Sequence, residues 1–265
     1  KLIAVDIDGT LLNSQRQVTP EVFQAIQDAK AAGVKVVIAT GRPIPGVLPL
    51  LEELNLNQDG DYVITFNGGL VQETSGNELI RETLSYEDYL DIEVLANKLG
   101  VHSHAITKDG IYTSNRNIGR YTVHESTLVH MPIYYRTPEE VADKEFVKAM
   151  YIDEPEILDA AIAKLPQEFY DRFSIVKSTP FYLEILKKTA NKGIAVTHLA
   201  EKLSLTKEET MAIGDEENDR AMLEVVGSPV VMENGNPEIK KIAKYITKSN
   251  DESGVAYAIR KWVLD

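Results

Sequence analysis

Two short runs of apolar residues constrain the fold of this chain more than any other feature. Residues 1–6, KLIAVD, and residues 34–39, VKVVIA, are apolar at nearly every position, and residues 19–32 between them carry apolar side chains at helical spacing. Continuous rather than alternating apolarity is typical of strands buried on both faces, as in a parallel sheet covered by helices. The opening therefore predicts a strand, a helix and a second, parallel strand.

The alternation of predicted strands and helices is interrupted once, by a long insert. It runs to residue 82, gives way to a mixture of strands and helices, and resumes at residue 187 with helix 192–203 and strand 210–213. We expect an α/β fold in which residues 1–82 and 187–265 form a doubly wound, mostly parallel sheet. Residues 83–186 are expected to form a separate, inserted α+β domain.

Composition excludes several kinds of partner. The 265 residues carry a formal net charge of −13, whereas a nucleic-acid or anionic-membrane surface needs clustered cations. No stretch approaches the roughly 20 apolar residues of a membrane-spanning helix. Cysteine is absent, which excludes thiolate metal sites and cysteine nucleophiles. We expect a soluble, cytoplasmic protein that binds a small molecule, with no nucleic-acid or membrane partner. Its oligomeric state cannot be predicted from these features.

Polar residues follow several of the predicted core strands. Ligands of open parallel sheets bind beyond the carboxyl ends of the strands, so these residues are candidates for one common pocket. They are Asp6, Asp8 and Thr10 after the first strand, Thr40, Gly41 and Arg42 after the second, and Gly214, Asp215, Asn218 and Asp219 after a late one. Lys192 opens the helix that leads back into the core.

Carboxylates gathered at one sheet edge repel one another unless a cation lies among them. The strand ends offer oxygen ligands and neither cysteine nor histidine, a donor set that selects a hard cation such as Mg²⁺. We expect Asp6, Asp8 and Asp215 to hold Mg²⁺. Asp8 lies in the turn beyond the strand, so it could bind through its backbone carbonyl and leave its carboxylate free.

Phosphoryl transfer needs an in-line nucleophile and positive groups around the phosphoryl oxygens. We expect Asp6 to be the nucleophile and Asp8 the general acid and base. Phosphate would be bound by Lys192, the Thr40 hydroxyl, and the backbone amides around Ile7 and Gly41. Supporting roles fall to Thr10, which can hold the loop, to Asn218, which can form a hydrogen bond with Lys192 or with phosphate, and to Asp219, which can orient its neighbours. Arg42 either steers anions or forms a structural ion pair.

Four motifs occur in a fixed order: DIDGT at 6–10, TGR at 40–42, NKG at 191–193 and GDEEND at 214–219. Together they resemble the motifs of the haloacid dehalogenase superfamily. FNGG at 66–69, YTVHES at 121–126, IDEP at 152–155 and TKSN at 247–250 resemble its Cof-type sugar-phosphate phosphatases.

This resemblance implies a Rossmannoid core, an inserted cap of the C2 type, Mg²⁺ and broad activity on sugar phosphates. It makes Asp6 the nucleophile, Asp8 the acid and base, Thr40, Lys192 and Asn218 phosphate ligands, and Asp215 a metal ligand. The position of the insert, between Arg42 and Lys192, separates this chain from phosphomutases of the superfamily, whose caps follow the first motif. Substrate specificity is then expected to lie in the cap.

Several other functions fit parts of the pattern. A nucleotide phosphatase or a flavin or pyridoxal phosphatase would use the same core residues with a different cap. A receiver-type signalling module would hold the acyl phosphate instead of hydrolysing it, although a large insert and an acid at Asp8 argue against this. A phosphosugar-binding regulatory protein is a further alternative.

Histidines in the insert are weaker candidates for a functional site. His102 and His104 alternate along a predicted strand without an evident third metal ligand, so we expect a polar strand face. His124 and Glu125, with Arg116, either line the cap side of the pocket or belong to ordinary surface.

Overall fold

The computed structural model describes residues 1–265. Its strands are β1 (Leu2–Val5), β2 (Lys35–Ala39), β3 (Tyr62–Thr65), β4 (Leu70–Glu73), β5 (Glu78–Arg81), β6 (His102–Ile106), β7 (Ile111–Thr113), β8 (Ile133–Tyr135), β9 (Lys148–Ile152), β10 (Phe173–Thr179), β11 (Tyr182–Lys187), β12 (Thr210–Gly214), β13 (Ser228–Val231) and β14 (Tyr245–Ile246). Its helices are α1 (Pro20–Ala31), α2 (Leu48–Glu53), α3 (Tyr86–Leu99), α4 (Arg120–Val129), α5 (Pro155–Ile162), α6 (Gln167–Arg172), α7 (Lys192–Lys202), α8 (Arg220–Val225), α9 (Pro237–Lys240) and α10 (Gly254–Ile259).

The chain divides into two compact units. The first comprises Lys1–Gly41, Leu48–Ile80 and Asn191–Asp265, and the second comprises Arg42–Val47 and Arg81–Ala190. The short segment Arg42–Val47 groups with the insert, a feature that the sequence pattern does not indicate. Its Gly46 lies against the backbone of Val129 at the end of α4, where an added Cβ would be 3.3 Å from the Val129 Cα.

The first unit is built on an eight-stranded sheet with the order β14-β13-β12-β1-β2-β3-β4-β5. Strands β14 through β3 are parallel to their neighbours, and β4 runs antiparallel to β3. All four residues of β1 are buried, as expected for a strand covered by helices on both faces. The expectation of an α/β fold with a doubly wound, mostly parallel sheet is confirmed.

Helix α1 shows how local sequence fixes the element boundaries of this unit. Thr19 is the N-cap and its hydroxyl accepts a hydrogen bond from the amide of Val22, while Pro20 occupies the first turn. Gly33 follows the helix at φ 78°, which favours glycine after a helix end. The predicted helix at residues 19–32 therefore forms with its ends shifted by one residue.

The second unit is built on a six-stranded sheet with the order β10-β11-β9-β6-β7-β8. Its pairs are antiparallel except for β7 with β8. One face carries the apolar core, to which α3, α5 and α6 contribute Tyr89, Leu158 and Phe169. A capping box between Ser85 and Asp88 starts α3. This is the α+β module expected for the insert.

Three elements of the insert escape the sequence pattern: α4, β8 and α6. The α4 sequence, RYTVHESTLV, has a β-branched or polar residue at most positions, and only Thr122, Glu125 and Val129 are buried. Its buried side is therefore polar, and hydrophobic periodicity gives no helical signal.

Sheet order brings three strand ends together in the first unit. Strand β1 lies between β2 and β12, and the chain proceeds outward through β2 and β3 before it returns on the other side through β12. The crevice beyond the carboxyl ends of these strands is the topological switch point where ligands of such sheets bind. No helix of the protein has both the length and the apolarity needed to cross a bilayer.

We expect the turn at Gly68 to be essential for the stability of the first unit. Gly68 has φ 98°, and an added Cβ would lie 2.2 Å from the carbonyl oxygen of Asn191, whereas Gly76 has φ 102° with nothing within 4 Å. Gly76→Ala should lower the free energy of unfolding by about 1 kcal/mol, the cost of the left-handed backbone. Gly68→Ala should lower it by roughly 3 kcal/mol or more, because the backbone must also move. Urea unfolding curves of the two variants provide the comparison, and equal losses would contradict it.

Candidate active site

Asp6 lies at the carboxyl end of β1, at the centre of the sheet. Its amide donates to the carbonyl of Ile213 in β12 at 3.0 Å, which continues the parallel ladder by one residue. The residue is 6% exposed. A carboxylate is thus fixed by the backbone of two neighbouring strands at the edge where the sheet opens.

The loop after Asp6 folds back tightly on Ile7. The Ile7 carbonyl accepts hydrogen bonds from the amides of Thr10, Leu11 and Leu12 at 3.4, 3.0 and 3.0 Å. Gly9 has φ 83°, and a Cβ added there would lie 2.2 Å from Oδ2 of Asp215. Only glycine fits this loop, because the backbone conformation and the close carboxylate both exclude a side chain.

Lys192 is the first residue of α7 and is fully buried. Asn191 caps the helix, and its side-chain oxygen accepts from the amide of Ile194 at 2.9 Å. The Lys192 ammonium donates to Oδ1 of Asp6 at 2.5 Å and to Oδ1 of Asp219 at 2.7 Å. A buried lysine is tolerated here because two carboxylates compensate for the loss of hydration.

Asp219 serves as the anchor of this cluster. Its Oδ1 accepts from Lys192, and its Oδ2 accepts from the amides of Asp215 and Glu216 at 2.9 and 3.2 Å. Its side chain is completely buried. Asp219 therefore holds both the lysine and the loop that carries Asp215, which places it in the orienting position expected from the sequence.

Asp215 follows β12 and is held by the loop after β1. Its Oδ1 accepts from the Thr10 hydroxyl at 2.7 Å in a buried contact. Thr10 thus ties the first motif to the last, although the two are separated by 205 positions. The loop-holding role expected for Thr10 corresponds to this contact.

The pKa values of the buried acids reflect their surroundings. Burial and the charges of Asp219 and Asp215 raise the pKa of Asp6 to about 8, although Lys192 acts to lower it. Burial likewise raises the pKa of Asp215 to about 7, against the hydrogen bond from Thr10. In Lys192 the same burial disfavours the charge, but Asp219 and Asp6 outweigh it and raise the pKa. A cation beside Asp6 and Asp215 would favour their ionised forms.

The donor set fits a hard divalent cation. Asp6, Asp215 and Asp219 each offer a carboxylate oxygen, and these oxygens lie within 4.8 Å of one another. Because both oxygens of Asp219 already accept hydrogen bonds, Asp6 and Asp215 are the carboxylates best suited to a metal. Oxygen donors alone favour Mg²⁺ over softer metals. Asp8 has an exposed side chain and does not join the carboxylate cluster, so only its backbone carbonyl remains as a metal donor.

Thr40 and Gly41 follow β2 beside a turn that sequence reasoning did not assign to the site. The Thr40 amide continues the ladder to Ile64, and its carbonyl accepts from the amide of Asn67 at 2.9 Å. The Asn67 side chain lies against Gly41, 3.0 Å from the position of an added Cβ. Asn67 is buried and has φ 52°. The sequence feature that could have indicated Asn67 is the motif FNGG, which directly follows the buried strand β3.

Two other predicted site residues are half-buried. Asn218 lies in the loop between Asp215 and Asp219, and it is not among the residues that bond to the Lys192 ammonium. Arg42 belongs to the second unit.

The insert contains a buried polar cluster of its own. The Lys148 ammonium lies 3.4 Å from a Glu184 oxygen and 4.0 Å from a Glu125 oxygen. Burial raises the pKa of Glu125, an effect that Lys148 opposes. His124 Nδ1 lies 2.8 Å from the Tyr182 hydroxyl. The alternative that Glu125 is ordinary cap surface is wrong, because it is only 4% exposed.

The two histidines on β6 do not form a metal pair. His102 Nδ1 lies 2.7 Å from Asp153, whereas His104 is fully buried between Thr122 and Met150. Burial lowers the pKa of His104 to about 3. The expectation of a polar strand face is wrong for His104, which is neutral and packed under α4.

Comparison with known proteins finds relatives that match nearly the whole chain. A family model described as haloacid dehalogenase-like hydrolase matches residues 3–259. A protein of Streptococcus pyogenes named "Putative phosphatase M6_Spy0533" is 68% identical over 100% of this chain and 99% of its own length. The 5-amino-6-(5-phospho-D-ribitylamino)uracil phosphatase YcsE of Bacillus subtilis is 34% identical over 100% of this chain and 96% of its own. A solved haloacid dehalogenase-like hydrolase from Bacteroides thetaiotaomicron superposes with a TM-score of 0.87 at 29% identity, covering 98% of each chain.

We expect Mg²⁺ to stabilise the protein more at high pH than at low pH. The raised pKa values of Asp6 and Asp215 mean that their contribution to metal-free stability is present below about pH 4 and is lost as the pH rises through about 7 and 8. Mg²⁺ binds the ionised forms and reverses that loss. The Tm gain on adding MgCl₂ to EDTA-treated protein should therefore be larger near pH 8 than near pH 5.

Asp215→Asn is the matched control, because it keeps the shape of the side chain and removes one of the two carboxylates that we expect to bind the metal. It should reduce the Tm gain near pH 8 to a small fraction of that of the unaltered protein. Equal gains at both pH values, or an undiminished gain in the variant, would show that the metal binds elsewhere.

Proposed function

We propose that this chain, a phosphatase that belongs to the haloacid dehalogenase-like hydrolases, transfers the phosphoryl group of small phosphomonoesters first to Asp6 and then to water. The observation that carries the proposal is the buried contact between the Lys192 ammonium and Asp6. A carboxylate nucleophile repels an incoming phosphate, and a cation at this position offsets the repulsion and favours the ionised form of the carboxylate.

In the first step, Asp6 attacks phosphorus and the bond to the leaving oxygen breaks. Asp8 gives a proton to that oxygen, which leaves as an alcohol. The exposed position of the Asp8 side chain, next to the nucleophile but outside the buried cluster, supports this role. Asp6 cannot serve as the acid itself, because it must attack in its ionised form.

Charge that develops on the phosphoryl oxygens is stabilised by groups at the same sheet edge. Lys192 supplies the full positive charge, and the Thr40 hydroxyl and the backbone amides of Ile7 and Gly41 supply hydrogen bonds. Asn218 can approach the phosphate from the loop between Asp215 and Asp219. Arg42, which is half-buried, would steer anions toward the site.

We assign Mg²⁺ to Asp6, Asp215 and the backbone carbonyl of Asp8. When bound, the metal neutralises charge between the carboxylate and the phosphate and so permits their approach. The oxygen-only donors and the raised pKa values of Asp6 and Asp215 support this assignment.

In the second step, Asp8 takes a proton from water as the water attacks phosphorus. The bond between phosphorus and Asp6 breaks, inorganic phosphate leaves, and the Asp6 carboxylate is regenerated. A receiver-type module would lack this step and would store the phosphoryl group. The lifetime of the phosphoryl-enzyme separates the two alternatives.

Sugar phosphates and similar small phosphometabolites are the proposed substrates, with specificity set by the insert. A second candidate is a phosphate on a ribityl chain attached to a pyrimidine, because the relative with 34% identity is named for that substrate. Both classes present a primary phosphate on a polyhydroxylated carbon chain, so the core chemistry would be the same.

We expect Asp6→Asn to abolish Mg²⁺-dependent phosphate release, because the amide is a poor nucleophile and a weak metal ligand. The loss should be roughly 10³-fold or more. Phosphate release from sugar phosphates, nucleotides, and flavin and pyridoxal phosphates, measured with Mg²⁺ and with EDTA, tests the function and ranks the substrate classes. Full turnover in Asp6→Asn would rule out the proposed nucleophile.

We expect Asp8→Asn to affect substrates according to their leaving group. Transfer from an alkyl phosphate should slow by about 10²- to 10⁴-fold, the range for losing a general acid. Transfer from 4-nitrophenyl phosphate should slow much less, because nitrophenolate leaves without a proton. The phosphoryl-enzyme should then accumulate, since its hydrolysis also needs Asp8. Rapid-quench trapping measures this intermediate, and equal losses for both substrates would remove Asp8 from the acid role.

A further inference from the structure

We propose that Asn234 and Asn250 are positioning residues that hold the loop carrying Asp8 in its reactive geometry. The inference rests on the proposed function, because it takes Asp8 to be the general acid and base. Asn234 lies in the loop after β13 and Asn250 in the loop after β14, and no role has been assigned to either so far.

Both side chains donate to backbone carbonyls of the loop that follows Asp8. The Asn234 amide donates to the Gly9 carbonyl at 2.8 Å. The Asn250 amide donates to the Leu12 carbonyl at 2.9 Å. The two contacts therefore restrain the loop that carries Asp8 immediately after that residue and again at its far end.

The loop's own hydrogen bonds explain why such external donors are needed. Three amides converge on the Ile7 carbonyl, so the internal bonding fixes the start of the loop. The carbonyls of Gly9 and Leu12 accept from Asn234 and Asn250 instead. Leu12 also forms an isolated β-bridge with Asp8, so that fixing Leu12 bears directly on the Asp8 backbone.

The two asparagines act as one unit. The main-chain N–H of Asn250 donates to Oδ1 of Asn234 at 3.0 Å. The loop after β14 therefore orients the Asn234 side chain. Ser14 and Asp251 tie the same two segments together a few residues further on, through the Ser14 amide at 2.8 Å. Loops after two outer strands thereby brace the loop after the central strand.

Gly9 restricts the loop from its other side. Its backbone lies so close to Asp215 that a Cβ would be 2.2 Å from Oδ2. Gly9, the residue after Asp8, is thus held between the buried Asp215 carboxylate and the exposed Asn234 side-chain amide. Asp8 lies on the backbone that these contacts restrain, and effective proton transfer requires accurate placement of the proton donor.

The test measures single-turnover phosphoryl transfer to the full chain from 4-nitrophenyl phosphate and from the best alkyl phosphate of the substrate panel. The variants are Asn234→Ala, Asn250→Ala and the double variant. Asn236→Ala is the matched control, because Asn236 lies on the same loop as Asn234. Its side chain contacts Glu216 and caps α9, and it forms no bond with the loop that carries Asp8. The ratio of the alkyl-phosphate rate to the nitrophenyl-phosphate rate is compared within one preparation, because inactive protein would lower both rates by the same factor.

We expect each single variant to lower the alkyl rate roughly 10-fold more than the nitrophenyl rate, which corresponds to one lost hydrogen bond. The double variant should lose less than the product of the single effects, because the asparagines are coupled. Asn236→Ala should leave the ratio unchanged. KM for both substrates should change little, since neither asparagine is proposed to bind substrate.

Equal losses for both substrates, or no loss, would overturn the inference and leave the asparagines a structural role only. Asp8→Asn in the same assay separates this failure from that of the proposed function. If Asp8→Asn shows the leaving-group dependence and the asparagine variants do not, only the inference fails. If Asp8→Asn shows no dependence, both fail.

Discussion

The rest of the structure depends on the contact of one buried lysine with two aspartates. Lys192 has lost its hydration entirely, and its ammonium lies 2.5 Å from Asp6 and 2.7 Å from Asp219. Removing either carboxylate would leave the buried lysine charge without full compensation. Breaking a buried ion pair in this way typically lowers the free energy of unfolding by about 3–5 kcal/mol. The backbone around the cluster is therefore shaped to hold these three side chains, with Gly68 close against the Asn191 carbonyl and the Asp215 and Glu216 amides directed at Asp219.

This contact also explains why the catalytic unit can be built from separated parts of the chain. Asp6 lies on the first strand, and Lys192 and Asp219 come after the insert, so the cluster forms only when the two parts of the sheet have joined through β1 and β12. Thr10 and Asp215 form a second buried bond across the same junction.

Sequence reasoning predicted most of the core because the same physical features determine both pattern and fold. Near-continuous apolar strands such as β1 and β2 can only be buried on both faces, and polar residues at their ends meet wherever a parallel sheet places them. Sequence reasoning was wrong where the buried residues are polar. Helix α4 buries Thr122 and Glu125, and His104 is buried where a polar face was expected, so hydrophobicity carried no signal. Asn67 was not assigned to the site, because the FNGG motif indicates only a turn after a buried strand and the contact of Asn67 with Gly41 is a tertiary one.

The electrostatics of the cluster determine which ligands the site can accept. If Asp6, Asp215 and Asp219 are all ionised, Lys192 compensates for only one of the three charges, and a surplus of two negative charges remains in a buried place. The raised pKa values of Asp6 and Asp215 express this surplus. One divalent cation would neutralise the two surplus negative charges, but a bound phosphate dianion would add two negative charges again. Further stabilisation must come from oriented hydrogen-bond donors, such as the amides at the strand ends, and from an acid that protonates the leaving oxygen before negative charge accumulates there. We propose Asp8 as that acid, and the loop that carries it is restrained by hydrogen bonds from Asn234 and Asn250, which lie on two other loops.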